Sequence, residues 1–232
     1  SYRFVGEEGG DFAGSSVAKA GDVDGDGLGD LLVGAYFGDS GGSDSGQAYL
    51  FLGASLLERP GLDLSEADYL FIGETSGDWA GSSVASAGDV DGDGLDDILI
   101  GALGGELGGS NSGQAYLFLA ASLGSNKTVE LSSADYVFVG EANDDSAGVS
   151  VSSAGDVDGD GLDDLLIGAN YNDDGGAYAG KAYLVFASSL GTTSTIVLSD
   201  ADYSFVGEDS DDNLGSSVAK AGDVDGDGLG DL

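Results

Sequence analysis

Residues 88–97 read Gly-Asp-Val-Asp-Gly-Asp-Gly-Leu-Asp-Asp, and the first eight of these letters recur at residues 21–28, 155–162 and 222–229. Successive copies are separated by a constant step of 67 residues. A fixed period of this size is typical of propellers, solenoids and other repeat arrays, in which each unit buries its apolar face against its neighbours. The sequence therefore predicts a repeat protein before any single element is assigned.

Other landmarks keep the same step, so the repeat extends well beyond the Asp-rich stretch. A Tyr leads into an apolar run that ends in Gly-Glu four times, beginning with Tyr2, and a Gly-Ala pair follows each of the first three Asp-rich stretches. The predicted domain organisation is repeat 1 at residues 1–67, repeat 2 at 68–134, repeat 3 at 135–201 and a partial repeat 4 at 202–232.

Each repeat contains four strand candidates. In the second repeat they are Ser82–Ala87, Ile98–Ala102, Ala115–Ala120 and Tyr136–Gly140. Short β-branched and aromatic runs bounded by Gly, Asp, Asn and Ser predict strands. Four strands per unit is typical of a propeller blade, so we expect an all-β fold of four-stranded antiparallel blades, three complete and one partial. The polar segments Leu56–Leu64 and Leu123–Leu131 show no helical period, and we interpret them as linkers to the fourth strand.

The innermost strand of a propeller blade is expected to contain small residues, because strands crowd near the propeller axis. The segments that meet this requirement are Ser15–Ala20, Ser82–Ala87, Ser150–Ala154 and Ser216–Ala221.

The Asp-rich stretch has the ligand arithmetic of a calcium loop. Carboxylates stand at its positions 1, 3, 5 and 9, Gly at position 6 permits a sharp turn, and the carbonyl of position 7 is a further oxygen donor. The stretch ends in Asp at position 9 and is flanked by strands, so it is not an EF-hand. A solvated acidic turn explains one such stretch but not four in register, and magnesium seldom uses an all-protein cage. We therefore expect about one Ca²⁺ per repeat, with binding linked to folding.

The predicted ligands are the same in every repeat. They are Asp22, Asp24, Asp26, Leu28 and Asp30; Asp89, Asp91, Asp93, Leu95 and Asp97; Asp156, Asp158, Asp160, Leu162 and Asp164; and Asp223, Asp225, Asp227, Leu229 and Asp231.

Composition excludes several classes of function. Forty-three acidic residues against six basic ones give a net charge of -37, which repels nucleic acid and anionic membrane surfaces. The absence of Cys and His excludes a Cys/His zinc site, a Cys nucleophile and a His-based triad. The sequence has no apolar run of membrane-spanning length, so no direct membrane insertion is expected.

The order of motifs resembles a known family. Gly-Ser-Ser-Val-Ala, the Asp-rich stretch and the following apolar-Gly-Ala are similar to the FG-GAP repeats of integrin α-chain propellers, and closer still to FG-GAP-like arrays in bacterial and archaeal surface proteins. The resemblance implies a β-propeller with calcium between the first two strands of each blade, at the cell surface. The chain departs from the family pattern where Tyr36, Leu103 and Asn170 replace the Pro after Gly-Ala, and where Phe-Val/Ile-Gly-Glu replaces Phe-Gly.

Two functions follow as hypotheses. The first is an extracellular calcium-binding module for cell-surface adhesion or protein–protein interaction, with a protein or glycan partner. The alternative is a structural protein whose repeats assemble with further copies of the chain into a filament, tube or surface layer. We expect the chain to be a window from a longer array of repeats. Whether the repeats form a closed propeller or a polymer is left open by the sequence. An enzyme is disfavoured, because every conspicuous acid repeats with the period.

Two further patterns in the sequence each allow more than one interpretation. Glu7, Glu74, Glu141 and Glu208 recur at one phase, each followed by an Asp, which indicates either a second metal site or, as we favour, a turn with structural hydrogen bonds. The loops that differ most between repeats are Asp39–Ser45, Gly104–Ser112 and Asn170–Tyr178. Variable loops on a regular scaffold often bind partners.

Overall fold

The structure is a computed structural model that describes residues 3–58 and 62–232. Tyr2, the predicted start of the first apolar run, lies outside the described residues. The strands, in chain order, are β1 (Phe4–Val5), β2 (Ser16–Gly21), β3 (Asp30–Ala35), β4 (Gln47–Phe51), β5 (Leu62–Asp63), β6 (Tyr69–Ile72), β7 (Ala80–Gly88), β8 (Asp97–Ala102), β9 (Gln114–Phe118), β10 (Thr128–Glu130), β11 (Tyr136–Val139), β12 (Ala147–Gly155), β13 (Asp164–Ala169), β14 (Lys181–Val185), β15 (Thr195–Val197) and β16 (Tyr203–Val206).

Helical structure in the described residues is confined to short segments after the third strand of each repeat. They are α1 (Gly53–Glu58) and single 3₁₀ turns at Leu64–Glu66, Ala120–Ser122, Leu131–Ser133, Ala187–Ser189 and Leu198–Asp200. Within the described part of the chain, none of these helices has the length and apolar character needed to cross a bilayer.

The strands form three blades of a partial propeller. The sheet orders are β2-β3-β4-β6-β10 in blade 1, β7-β8-β9-β11-β15 in blade 2 and β12-β13-β14-β16 in blade 3. The first four strands of each blade are antiparallel, which confirms the predicted all-β fold of four-stranded antiparallel units. A further pair, β1 with β5, stands apart from these sheets.

The structure adds a fifth strand to the first two blades. β10 pairs in parallel with β6, and β15 pairs in parallel with β11, so each strand comes from the repeat after the one that supplies the inner strands. β10 lies in the segment Leu123–Leu131 that was interpreted as a linker, and β15 lies in the equivalent segment one repeat later. Both strands are only three residues long, which is too short for a periodic signal. Each is followed by a fully buried leucine, Leu131 or Leu198, that fixes the segment to the core.

The predicted innermost strand at Ser216–Ala221 is wrong for the fourth repeat. The equivalent segments of repeats 1 to 3 form β2, β7 and β12, but residues 216–221 form no strand, and one bridge joins Gly222 to Asp231. The physical reason is the lack of a partner strand: β2, β7 and β12 each pair with a strand of six residues, whereas residues 216–221 have no such partner among the described residues.

The core lies between blades, because the middle strands bury both faces. Leu32 and Leu50 of blade 1 pack in one cluster with Ile98 and Ile100 of blade 2. The next residue along β8, Leu99, belongs to the cluster between blades 2 and 3. Every residue of β8 and β13 is buried, which explains the continuous apolar runs in the sequence.

Neighbouring blades approach most closely at the glycine of the Gly-Ala pair. A Cβ on Gly34 would lie 2.1 Å from the carbonyl oxygen of Gly81 in the next blade. The same contact recurs between Gly101 and Gly148, where Ser83 Oγ also donates a hydrogen bond to the Gly148 carbonyl at 2.8 Å. A side chain at this position would push the blades apart, so glycine is required by packing.

Candidate metal centres

The Asp-rich stretches are the loops that join the first strand of each blade to the second. In the second repeat the loop begins as β7 ends at Gly88 and finishes where β8 begins at Asp97. Gly92 and Gly94 have φ angles of 78° and 89°, in the left-handed region that glycine adopts without strain. The two glycines curl the backbone around the first carboxylate of the loop.

That first carboxylate organises the loop through backbone N–H groups. Asp89 Oδ1 accepts hydrogen bonds from Gly92 N at 2.8 Å and Asp93 N at 3.1 Å, and Asp89 Oδ2 accepts one from Gly94 N at 3.0 Å. Asp91 Oδ1 accepts from Asp93 N at 3.1 Å. Each carboxylate is therefore oriented by the backbone of its own loop, and the oxygens are held ready on one side of the turn.

The carboxylate at position 9 of the loop is buried and connects the loop to the 3₁₀ turn that follows the third strand. Asp97 is fully buried, with Oδ2 accepting from Val90 N at 2.9 Å and Oδ1 accepting from Ala120 N at 2.8 Å. Burial raises the pKa of Asp97 to about 7, against the opposing effect of those two hydrogen bonds. Burial likewise raises the pKa of Asp30 and of Asp164, which hold the same positions in blades 1 and 3.

In every loop the carboxylates of positions 1, 3 and 9 converge. Each residue of the group offers one oxygen, and these oxygens lie within 4.8 Å of one another. The groups are Asp22, Asp24 and Asp30; Asp89, Asp91 and Asp97; Asp156, Asp158 and Asp164; and Asp223, Asp225 and Asp231. Three like charges this close repel one another unless a cation lies between them.

The carboxylates of position 5 do not belong to these groups. Asp26, Asp93, Asp160 and Asp227 instead accept a hydrogen bond on Oδ1 from the backbone N–H of the residue two further on, at 2.7 to 2.9 Å. Those donors are the leucines of position 7, whose carbonyls were the other predicted ligands. The structure thus brings together three of the four predicted carboxylates of each loop.

An oxygen without a partner indicates what the loops are built to hold. In the first loop Asp22 Oδ1 is buried, yet among the described residues no group donates a hydrogen bond to it. Buried polar atoms are rarely left unsatisfied. A carboxylate oxygen in this condition, beside two further carboxylates, fits an oxygen-ligated cation such as Ca²⁺.

Sequence reasoning missed the acid at position 8, which links successive loops. Asp96 Oδ2 accepts from Asp22 N at 2.8 Å, while Asp96 N donates to the Asp22 carbonyl at 3.1 Å. Asp163 makes the same pair of hydrogen bonds to Asp89 in the preceding loop. Repeats 1 and 4 have Gly29 and Gly230 there. This difference between repeats was the available signal.

Comparison with known proteins agrees with this geometry. The FG-GAP repeat family model matches residues 13–51, 80–118 and 147–185, each of which spans the first three strands of a blade and the loop between the first two. The chain belongs to the FG-GAP repeat family. The predicted resemblance to integrin α-like propellers is confirmed.

Individual integrin α chains are similar over most of this FG-GAP protein. The alignment with integrin alpha-5 of Xenopus laevis shows 32% identity over 82% of this chain. Integrin alpha-IIb of Homo sapiens is 36% identical over 72%, and integrin alpha-PS5 of Drosophila melanogaster is 32% identical over 72%. The matched region spans only 16% to 18% of the length of these relatives.

Proposed function

We propose that this FG-GAP protein is an extracellular, calcium-binding module for cell-surface adhesion or protein–protein interaction, and that it is not an enzyme. About one Ca²⁺ per repeat is held by the carboxylates of positions 1, 3, 5 and 9 and the carbonyl of position 7. The convergence of three carboxylates in all four loops is the observation that supports this most strongly. The relatedness to integrin α chains supports the cell-surface setting.

Calcium would act here on stability and rigidity. Position 9 transmits this effect from the loop to the blade, because Asp97 is hydrogen-bonded both to Val90 in the loop and to Ala120 in the 3₁₀ turn that follows the third strand. Position 8 transmits the stabilisation from one blade to the next through the hydrogen bonds that Asp96 and Asp163 accept from the preceding loop. A bound ion would therefore fix the relative positions of three strands and two blades.

The opposite end of the blades is the proposed partner-binding surface. Phe12 precedes β2, Tyr36 and Phe37 follow β3, and Trp79 precedes β7, so all four lie at the ends of these strands away from the calcium loops. Phe12 meets Phe37 edge-on at 5.2 Å between ring centroids, and a cavity of about 380 Å³ opens beside Tyr36, Phe37 and Trp79. Partly exposed aromatic groups of this kind are enriched where proteins bind partners.

A second candidate function is assembly through the repeats. In blades 1 and 2 the next repeat supplies a fifth strand, and Phe71 and Phe138 of the fourth strand are fully buried. In blade 3 the equivalent Phe205 is 46% exposed and Tyr203 is 58% exposed. Phe71 packs against Phe118 of the next blade, with 5.0 Å between ring centroids. A further blade with its fifth strand, in the same chain or another copy, would therefore cover Phe205 and this edge.

Binding and imaging separate the two candidates. The protein, labelled and held in millimolar calcium, should bind to cell surfaces, and excess chelator should release it. Electron microscopy of the same sample should show discs or single particles for an adhesion module. Continuous filaments or tubes whose spacing matches the repeat would instead support assembly, and cell binding that is indifferent to calcium would contradict the first proposal.

A further inference from the structure

A second group of acids lines a cavity in blade 1, beside the loop 39–45 that joins β3 to β4 and away from the calcium loops. The cavity has a volume of about 220 Å³ and is lined by Glu7, Glu8, Asp11, Asp39, Ser40 and Gln47. Four of these six residues are acidic and none is basic. Burial, followed by the neighbouring carboxylates of Asp63, Asp11 and Glu8, raises the pKa of Glu7. The cavity therefore concentrates negative charge with no cation from the chain among its lining residues.

Gln47, one of the residues that line this cavity, has an unsatisfied side-chain oxygen. Its side chain is buried, at 2% exposure, and its Nε2 donates a hydrogen bond to the Tyr49 hydroxyl. Its Oε1 is buried, and no group among the described residues donates to it. A buried oxygen without a hydrogen-bond donor is energetically unfavourable, and negative charge on the other residues that line the cavity raises its energy further. Both features are relieved by a cation.

Blade 3 shows what a cation does at this position. Lys181 is the first residue of β14, as Gln47 is of β4, so the two residues occupy the same place in their blades. Lys181 Nζ lies 2.9 Å from Glu141 Oε1 and 2.6 Å from Asp174 Oδ2, and the side chain is 8% exposed. Glu141 is the periodic equivalent of Glu7. In the third repeat the chain therefore supplies its own buried positive charge.

Blade 2 has a similar acidic cavity, but there the glutamine oxygen has a hydrogen-bond donor. Gln114 begins β9, and a cavity of about 200 Å³ beside it is lined also by Glu74, Asp78 and Glu106. Here Gln114 Oε1 accepts from the Tyr116 hydroxyl at 2.6 Å, and the same hydroxyl lies 2.9 Å from Glu74 Oε1. No residue lining this cavity is basic. The first two blades thus share the acidic cavity that Lys181 neutralises in the third.

We propose that the acidic cavities of blades 1 and 2 are a second class of cation site, each binding a Ca²⁺ ion in the place that the Lys181 ammonium group takes in blade 3. The oxygen donors are Glu7, Asp11, Asp39 and the Gln47 amide in blade 1, and Glu74, Asp78, Glu106 and the Gln114 amide in blade 2. Carboxylate and amide oxygens are the ligands that Ca²⁺ prefers.

These sites bind more weakly than the loops. Among the described residues, groups of three carboxylates with oxygens within 4.8 Å of one another occur only in the four loops. An ion in the cavities therefore keeps part of its water and should bind only after the loops are filled. The turn interpretation of the sequence also holds in part, because Asp78 accepts hydrogen bonds from Thr75 N at 2.7 Å and Thr75 Oγ1 at 2.8 Å.

The test counts bound calcium in a variant that copies blade 3. Gln47→Lys with Gln114→Lys places an ammonium group in each cavity and leaves the loops untouched. The matched control is Ser125→Lys with Thr192→Lys, which adds the same charge at two exposed positions that are themselves one repeat apart. Equilibrium dialysis against radioactive calcium, from micromolar to millimolar, gives the number of ions bound.

We expect the control to bind the full number of ions and the Gln47/Gln114 variant to bind two fewer, both missing from the weak phase. Equal numbers in the two variants would overturn the proposal. If the lysine variant does not fold, Glu7→Gln with Glu74→Gln removes a ligand from each cavity at constant size and must lose the same two ions. Retention of both ions there would overturn the proposal equally. In either case, the number of tightly bound ions measures calcium binding to the loops independently of the cavities.

Discussion

At one end of the blades, the loops between the first and second strands share one eight-residue core four times over. At the other end, the loops between the second and third strands, 39–45, 104–112 and 170–178, differ in every repeat. The first set must place oxygens at fixed positions around one point, so almost no change is tolerated. The second set only has to connect β3 to β4, β8 to β9 and β13 to β14. One sheet therefore carries a constant end suited to stability and a variable end suited to recognition.

Removal of calcium should have the largest effect, because it acts on the constant end in all repeats. A site held at a hundred times its Kd contributes about 2.7 kcal/mol. In a chain of this size 1 kcal/mol shifts Tm by roughly 2–4 °C. Thermal melting in excess chelator should thus show a Tm lower by roughly 5 °C or more for each site, restored by added Ca²⁺. An unchanged Tm would show that bound calcium does not stabilise the loops of the constant end, and the proposed contrast between a stabilising end and a variable end would then be wrong.

Within the constant end, the buried and exposed ligands should differ. Asp91→Ala removes a proposed ligand and one acceptor of Asp93 N, which still donates to Asp89 Oδ1. Asp97→Ala removes a proposed ligand and also leaves Val90 N and Ala120 N without an acceptor, at about 1–3 kcal/mol for each buried group. In urea unfolding, Asp91→Ala should lower stability in calcium but not in chelator. Asp97→Ala should lower it in both. Equal behaviour of the two variants would show that Asp97 acts as a ligand alone.

The pH dependence of the metal-free protein should report the same buried carboxylate. The pKa of Asp97 is raised from 3.8 to about 7, so the folded state binds more protons than the unfolded state between these values. Stability in chelator should therefore increase as the pH falls from about 7 toward 4, and decrease as it rises. Asp97→Asn should flatten this dependence. Thermal melting at a series of pH values checks it, and a wild-type stability that decreases as the pH falls from about 7 toward 4 would contradict it.

The constant end was also the end that sequence could predict. The convergence of Asp89, Asp91 and Asp97, the loop between the first two strands and the antiparallel blades could all be predicted from the periodic sequence. Short elements left no such signal, since β10 has three residues and its exposed ends show no apolar pattern. Position 5 was predicted from the ligand spacing of a calcium loop, but the Asp93 carboxylate lies outside the converging group, and its Oδ1 accepts a hydrogen bond from Leu95 N.

Contacts between repeats were beyond prediction for a different reason. Asp96 looks like one more acid in an acidic loop, and only the three-dimensional structure shows its carboxylate against Asp22 N of the previous blade. Gln47 and Lys181 hold the same position in their repeats, yet nothing local indicates that one lines an acidic cavity and the other neutralises its equivalent. Periodicity identifies what repeats, whereas the differences acquire meaning only from the neighbours that surround them.

The link between loops should have an intermediate effect. Asp96→Ala removes the acceptor for Asp22 N but no proposed ligand, so we expect a loss of about 1 kcal/mol. The loss should be similar for Asp163→Ala, which serves Asp89 in the same way. Urea unfolding in excess calcium measures both. If either variant instead abolished calcium binding to the preceding loop in dialysis, position 8 would be part of the metal site and not a link between blades.

Substitution at the variable end should have the smallest effect on stability and the most specific effect on binding. Phe12 is largely exposed and touches the cluster edge-on through Phe37, a contact worth about 0.5–1.5 kcal/mol. Phe12→Ser should leave calcium affinity unchanged and lower Tm by only a few degrees, while reducing calcium-dependent binding to cell surfaces. Asp91→Ala, its counterpart at the constant end, should lower calcium affinity first and cell binding as a consequence. If Phe12→Ser weakened calcium binding as well, the two ends would be energetically coupled through β2 and β3, and the variable loops would have to be counted among the determinants of the metal sites.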